Sequence, residues 1–303
     1  MSKPPSPPKR HHFIPQMMLR HFAAADGQLW FWRRDFAEGE VRKASTQNLF
    51  VEKDLYTLIE KDGAKDVALE TFFSKLEGIG ARFIEDLATI VREGSTPTLD
   101  AAAWNFWGHF FYYHLKRTPG TIAAFAEAMN FDDRVAKTAK EIRAIRAKTG
   151  GAADEDGLET KIRKNAVVIA QAAGPSPEVL AIFETLGLAI YKITDPKKSF
   201  IVGDAPGALA RFPTAQAGLS HPTLFLPLTW DIAVGQLTGG QRTEVISVDR
   251  EQIRRMNEAS AARSLVIAGR SAELVGSLAN AVPYRGVEMI RDETEGYLPP
   301  IFA

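Results

Sequence analysis

The sequence predicts an α+β fold: a mainly helical middle, a short N-terminal β-meander, and C-terminal strands that are candidates for one mixed sheet. Three observations carry this. Between about residues 67 and 187, apolar side chains recur at three- and four-residue steps, the helical period. Residues 28–62 hold short alternating segments bounded by turn residues. The last third switches to short apolar runs punctuated by Gly, Pro and Asp, which read as strands.

In chain order, MSKPPSPPKR (residues 1–10) mixes Pro and Lys without an apolar run, so it is expected to be a disordered lead-in rather than a secretory signal. A helix is expected from His12 to Phe22, with Pro15 at its first position, where a missing N–H is harmless. GQLWFWRRD and EVRKAST alternate as two strands about the turn AEG, and DLYTLIEKDG reads as a third. Leu69, Phe72, Leu76, Ile79, Phe83, Leu87 and Ile90 then mark one face of a long helix from about Val67 to Glu93, ended by Gly94, Ser95 and Pro97. AAAWNFWGHFFYYHLKR is apolar nearly all round, so its helix belongs in the core. Thr118-Pro119-Gly120 stops it, and one further helix is expected over about 121–148. The small, polar, Gly-rich segment 149–160 reads as a mobile loop inside a single domain spanning 11–303. Helices over about 159–173 and 177–187 flank AGPSPE. LAIYKIT, KSFIVGD, TLFLPLT and EVISV follow as strands, REQIRRMNEASAAR as a helix, SLVIAGR as a strand and AELVGSLANAV as a last helix.

Composition removes several function classes. Lys plus Arg and Asp plus Glu number 37 each, so no global field draws the chain to nucleic acid or a membrane. Without cysteine there is no thiolate nucleophile, disulfide or zinc–thiolate centre. No unbroken apolar run reaches membrane-spanning length, so a cytoplasmic protein with no membrane partner is expected. Walker, GxGxxG, GxSxG and HExxH patterns are absent.

The sharpest candidate for chemistry is RHHFIPQMMLRHF, residues 10–22. A helix N-terminus presents unpaired N–H groups and partial positive charge, a seat for an anion. His11 and His12 precede it, and Gln16 and Arg20 are one helical turn apart on one face. A guanidinium can fork onto a phosphate, and an imidazole moves protons near neutral pH. The structural alternative is that one histidine bonds a backbone carbonyl and the motif locks the N-terminal segment onto the helical core. Glu70 and Glu77 lie nearly two turns apart on the long helix, beside Phe73. Their backbones are roughly 10 Å apart, so alone they do not chelate one ion. Arg117 is a candidate partner for them. His109 and His114 diverge around their helix, and His114 is expected to be a satisfied core histidine. Asp204, just after the strand SFIVG, suits a catalytic acid, a metal ligand or an Asx turn. His221 precedes a proline without an evident partner. Arg134, Lys137, Lys140, Arg143 and Arg146 wind around their helix and read as a solvated face.

HHFIPQMMLRHF, the aromatic strand, LYTL, the Glu70…Glu77 helix, KRTP, SFIVGDAP and FLPLT together resemble the DUF4238 family of bacterial proteins, from about His11 to Arg270. Other members of that family often read Ser-Asp-Asn-Pro where this chain has Gly203-Asp204-Ala205-Pro206. The resemblance implies no particular activity. It marks His12, Gln16, Arg20, Glu77, Arg117 and Asp204 as positions to test. The resulting expectation is a hydrolase of phosphate esters with His12, Glu77 and Asp204 catalytic. His11, Gln16, Arg20 and Arg117 would hold the ligand, and a divalent cation such as Mg would assist. Its partner would be a phosphate-bearing small molecule or nucleic acid. The alternative is a binding or sensing protein without chemistry.

Overall fold

The computed structural model describes residues 10–37, 40–60, 64–150, 157–210 and 223–287, with backbone alone at 128 and 223. Residues 1–9 of the expected lead-in, 151–156 of the expected loop, and His221 lie outside the described residues.

The described residues open with a strand, not a helix. β1 (Arg10–His12) pairs antiparallel with β4 (Val51–Lys53), and only then comes α1 (Gln16–Arg20), five residues long, with Pro15 as its N-cap. Proline fixes its own φ and disfavours helical backbone just before it, so the helix begins after Pro15 and the histidines stay extended. β2 (Gln28–Arg33) and β3 (Arg42–Ser45) form the expected hairpin. The third segment does not continue it: β4 turns to β1, and β5 (Leu58–Ile59) pairs with β6 (Lys65–Asp66).

α2 (Ala68–Arg92) and α3 (Ala101–Lys116) form as the periodicity predicts, and Asp100 caps α3 by accepting the Ala103 N–H. The helix expected over 121–148 is two. α4 (Pro119–Ala128) is capped by Thr118, and α5 (Phe131–Thr149) starts after Asn130, whose left-handed φ of 47° breaks the rod. α6 (Leu158–Ala172) and α7 (Pro177–Thr185) follow. Leu158–Thr185 matches a membrane span in length and apolar composition only, and it folds as two helices either side of Gly174-Pro175.

β7 (Gly187–Ile193), β8 (Val202–Gly203), β9 (Ala208–Ala210), β10 (Thr223–Pro227), β11 (Ile232–Leu237), β12 (Thr243–Val248), α8 (Arg250–Arg263), β13 (Val266–Gly269) and α9 (Ala272–Ala281) complete the α+β fold. The C-terminal strands divide between two sheets. Five form a mixed sheet in the order β12-β7-β11-β10-β9, with β12 parallel to β7. The other two join the N-terminal hairpin in an antiparallel sheet ordered β3-β2-β13-β8. Within the mixed sheet, β7 is buried on both faces. Leu188 and Ile190 of β7 face Ile84, Leu87, Phe110 and Phe111 of the helices, while Ala189, Tyr191 and Ile193 face a second core with Phe22, Leu29 and Phe200. Double burial is why residues 188–191, LAIY, are apolar in succession rather than alternating.

Candidate functional site

Adjacent residues of a strand point to opposite sides, and β1 separates its two histidines accordingly. His11 is fully buried and its ring stacks on Tyr56 at 5.4 Å. Its Nδ1 accepts the Tyr56 backbone N–H at 2.9 Å. A Glu70 oxygen lies 3.7 Å from that same nitrogen, whose lone pair is already engaged, so it donates nothing to the carboxylate. His12 is half-buried, with Nε2 3.1 Å from the carbonyl of Thr46. A carbonyl only accepts, so Nε2 carries the proton and Nδ1 the lone pair. Burial lowers the His12 pKa, against the opposing effects of the Thr46 bond and Glu77. Gln16 donates its side-chain amide to the Thr46 hydroxyl at 3.2 Å, which ties α1 to the same carbonyl-bearing loop.

Arg117, at the C-cap of α3, binds this region together from within and is 2 % exposed. Its Nε donates to the Tyr56 hydroxyl at 2.9 Å, and its Nη2 donates to Glu77 at 2.7 Å and to the backbone carbonyl of His12 at 2.5 Å. The guanidinium lies 4.5 Å over the Phe73 ring. Burial disfavours its charge, but Tyr56 and Glu77 outweigh that and raise its pKa. Burial pushes the Tyr56 phenol up to about 12. Burial also raises the pKa of Glu70, reduced by His11 and reinforced by Glu77. One region thus holds an uncharged, oriented imidazole, a carboxyl biased toward its protonated form, and a carboxylate tied to a cation.

Two expected members stand elsewhere. Arg20 is exposed on α1, and its side chain makes no hydrogen bond or ion pair among the described residues. Asp204 follows β8, which pairs with β13, so it belongs to the antiparallel sheet. It accepts the Leu265 N–H at 2.9 Å, across strands rather than in a local Asx turn. Burial pushes its pKa up to about 6. The charges it acts on are Arg33, Arg34 and Tyr284, none of which belongs to the Arg117 cluster. Nor does the expected anion seat sit beside the histidines at a long helix: α1 is little more than one turn and carries a correspondingly small dipole. Among the described residues, no three His, Asp or Glu side chains gather closely enough to hold a metal ion. His114 is buried as expected, but its Nε2 lacks a hydrogen-bond partner among the described residues. His109 bonds the Asn105 carbonyl one turn back on α3. On α5, Arg134, Lys137 and Lys140 are exposed, and Arg143 pairs with Glu159.

A model of the family described as "Protein of unknown function (DUF4238)" matches residues 10–271. The chain belongs to the DUF4238 family. Neither the curated proteins nor the solved structures hold a match to it.

In this DUF4238 protein, Tyr56, Thr46 and Gln171 are the participants that sequence reasoning missed. Tyr56 carries the stack on His11 and the bond to Arg117; Thr46 orients both His12 and Gln16. Gln171 of α6 donates to the Arg117 carbonyl at 3.3 Å. For Tyr56 a signal existed, since a tyrosine in the short run LYTL is a polar-tipped aromatic that needs a partner when buried. Thr46 acts through its carbonyl and its hydroxyl, and Gln171 is one of many polar residues on a helix; neither stands out in the sequence.

Proposed function

We propose that this DUF4238 protein is a hydrolase of anionic esters of the phosphodiester class, with His12 as its general base. One observation carries the reading: the Thr46 carbonyl holds Nε2–H, so the half-buried ring offers a basic Nδ1. A lowered pKa keeps that nitrogen deprotonated at neutral pH, the state a general base requires. The charges that act on His12 are Arg10 and Arg117 against Glu77, a net positive surrounding for a monoanionic ester. Arg10 is exposed on β1 and is the cation offered to the ester oxygen.

In the reaction, Nδ1 takes a proton from water as its oxygen adds to phosphorus. The P–O bond to the leaving group breaks, and the departing oxygen takes that proton back from the imidazolium. Glu77 stabilises the imidazolium in between. Hydrolysis of bis(p-nitrophenyl) phosphate, with EDTA and with Mg, tests this. His12→Ala is expected to lower kcat by about 10²–10⁴-fold while leaving the melting temperature nearly unchanged. No turnover by the wild-type protein, or equal turnover by the variant, refutes the proposal.

A second reading, binding without chemistry, has its own support: Nε and Nη2 of Arg117 are engaged by Tyr56, Glu77 and the His12 carbonyl. The cluster then serves as a latch between β1 and the helices. On that reading His12→Ala removes a part-buried hydrogen bond and costs about 1 kcal/mol of stability instead.

A further inference from the structure

A concave region lies away from the histidines, where α3, α4, α6 and α7 meet the start of α5. It encloses about 400 Å³, within the size range of small-molecule sites. Phe125, Phe131, Val167 and Val179 make its walls apolar. Two polar groups interrupt them. Lys116 donates to the Tyr112 hydroxyl at 3.0 Å and to the Ala173 carbonyl at 2.8 Å. An ammonium has three donors, and among the described residues no carboxylate forms an ion pair with this one. Gln171 is 1 % exposed; its amide nitrogen is engaged by the Arg117 carbonyl, and its Oε1 has no hydrogen-bond partner among the described residues. A half-buried cation without a counter-ion and a buried acceptor without a donor are both costly. The cation is relieved by a ligand that brings an anionic group.

We propose that this pocket binds a small amphipathic carboxylic acid, with its hydrocarbon body among Phe125, Phe131, Val167 and Val179 and its carboxylate on Lys116. The apolar walls provide affinity for the body through burial. The ammonium discriminates the acid from a neutral analogue of the same length. Burial of Lys116 lowers its pKa, and a bound carboxylate reverses that by favouring the charged form. Phe125, one of the lining residues, is 44 % exposed, so the pocket reaches solvent along an apolar edge. This inference is independent of the proposed hydrolysis at His12.

The test is titration calorimetry on the full chain with decanoate and decanol, both below micelle-forming concentrations. Wild type, Lys116→Met and Val167→Trp are compared. Wild type is expected to bind decanoate at least tenfold more tightly than decanol. Lys116→Met is expected to level the two affinities, and Val167→Trp, which fills the pocket, to abolish both. If either variant fails to melt cooperatively, Lys116→Gln and Ala170→Trp take its place. Absence of binding to wild type, equal affinity for acid and alcohol, or binding that survives the filled pocket each overturns the proposal. So would binding that appears only after residues 288–303 are deleted, which assigns the pocket to the chain's own C-terminal segment. Co-sedimentation with neutral phosphatidylcholine vesicles in place of decanoate binding assigns the apolar edge to a bilayer, and also overturns it.

Discussion

Acidification is expected to destabilise this protein through His114, by an amount the structure allows to be worked out. The side chain lies inside the helical core, 2 % exposed, with its ring stacked 5.4 Å from Phe110 and its Nε2 unbonded among the described residues. Burial, with a smaller contribution from Arg117, pushes its pKa from 6.5 down to about 3. In the unfolded chain a histidine titrates near 6.5. Between those two values the unfolded state binds a proton that the folded state refuses. The stability His114 contributes is therefore complete above pH 6.5 and is lost as the pH falls toward 3. The slope approaches about 1.4 kcal/mol per pH unit, so the loss reaches about 2 kcal/mol at pH 5.

The perturbation is His114→Phe, which keeps a planar ring and removes both the titration and the unbonded Nε2. Urea melts of both proteins at pH 7.5 and 5.0 are the assay. His12 and His21 also have lowered pKa values and contribute equally to the two proteins, so they cancel in the comparison. The wild-type protein should lose about 2 kcal/mol more than the variant between the two pH values. Parallel losses would show that protons reach His114 in the native state and that the ring is not buried as described.

Asp204 predicts the opposite sign. Its pKa, raised to about 6, makes the native state the better proton acceptor between about 4 and 6, so wild type should gain about 2 kcal/mol relative to Asp204→Asn as the pH falls from 7 to 4. Urea melts would contradict this if the two proteins kept a constant difference. Arg117→Met leaves Glu77, the Tyr56 hydroxyl and the His12 carbonyl without their common donor, and is expected to lower unfolding free energy by about 3–5 kcal/mol; a loss below about 1 kcal/mol would mean that the cluster holds nothing together. Gly187→Ala places a methyl 2.6 Å from the Arg242 carbonyl oxygen and 2.7 Å from that of Gly240. Both obstacles are backbone, so thermal melting should show a loss of about 1–3 kcal/mol, and an unchanged melting temperature would refute the close approach. If His12 is the base, kcat should fall on the acid side with a midpoint below 6.5, since burial lowers its pKa; a midpoint above 6.5 counts against that role.

The long periodic elements were legible from the sequence because burial alone dictates them. α2 and α3 form where the three- and four-residue steps put them, and β12, α8 and α9 where the strand and helix patterns do. What escaped the pattern depends on contacts distant in sequence. β11 is a central strand of the mixed sheet, yet IAVGQL carries a glycine that weakens its strand signal. That glycine is needed, since a Cβ at Gly235 would stand 2.9 Å from both the Tyr191 ring and the Leu224 carbonyl oxygen. The break between α4 and α5 had a readable signal: Asn130 followed by Asp132 and Asp133, a residue tolerant of left-handed backbone ahead of acidic residues in a first helical turn. The hairpin β2–β3 was visible, but its sheet partners β13 and β8 come from the other end of the chain, and no local pattern names them.

The histidine pair shows why a site is harder to read than a core. Read as the lip of a helix, His11 and His12 were assigned to one ligand and one anion seat. On a strand that arrangement is not available, because the alternation that buries one ring turns the other toward the surface. His11 goes inward, where its Nδ1 is engaged by the Tyr56 N–H and its ring by the Tyr56 face. His12 goes outward, where among the described residues one nitrogen is engaged, by the Thr46 carbonyl. The two residues therefore have separable consequences. His11→Ala opens a void against Tyr56 and should cost about 2–4 kcal/mol of stability, while His12→Ala on the hydrolase reading should remove turnover at little cost in stability. Were urea melts to find the two losses equal in size, the division of labour along β1 would be wrong and the motif would act as a single structural unit.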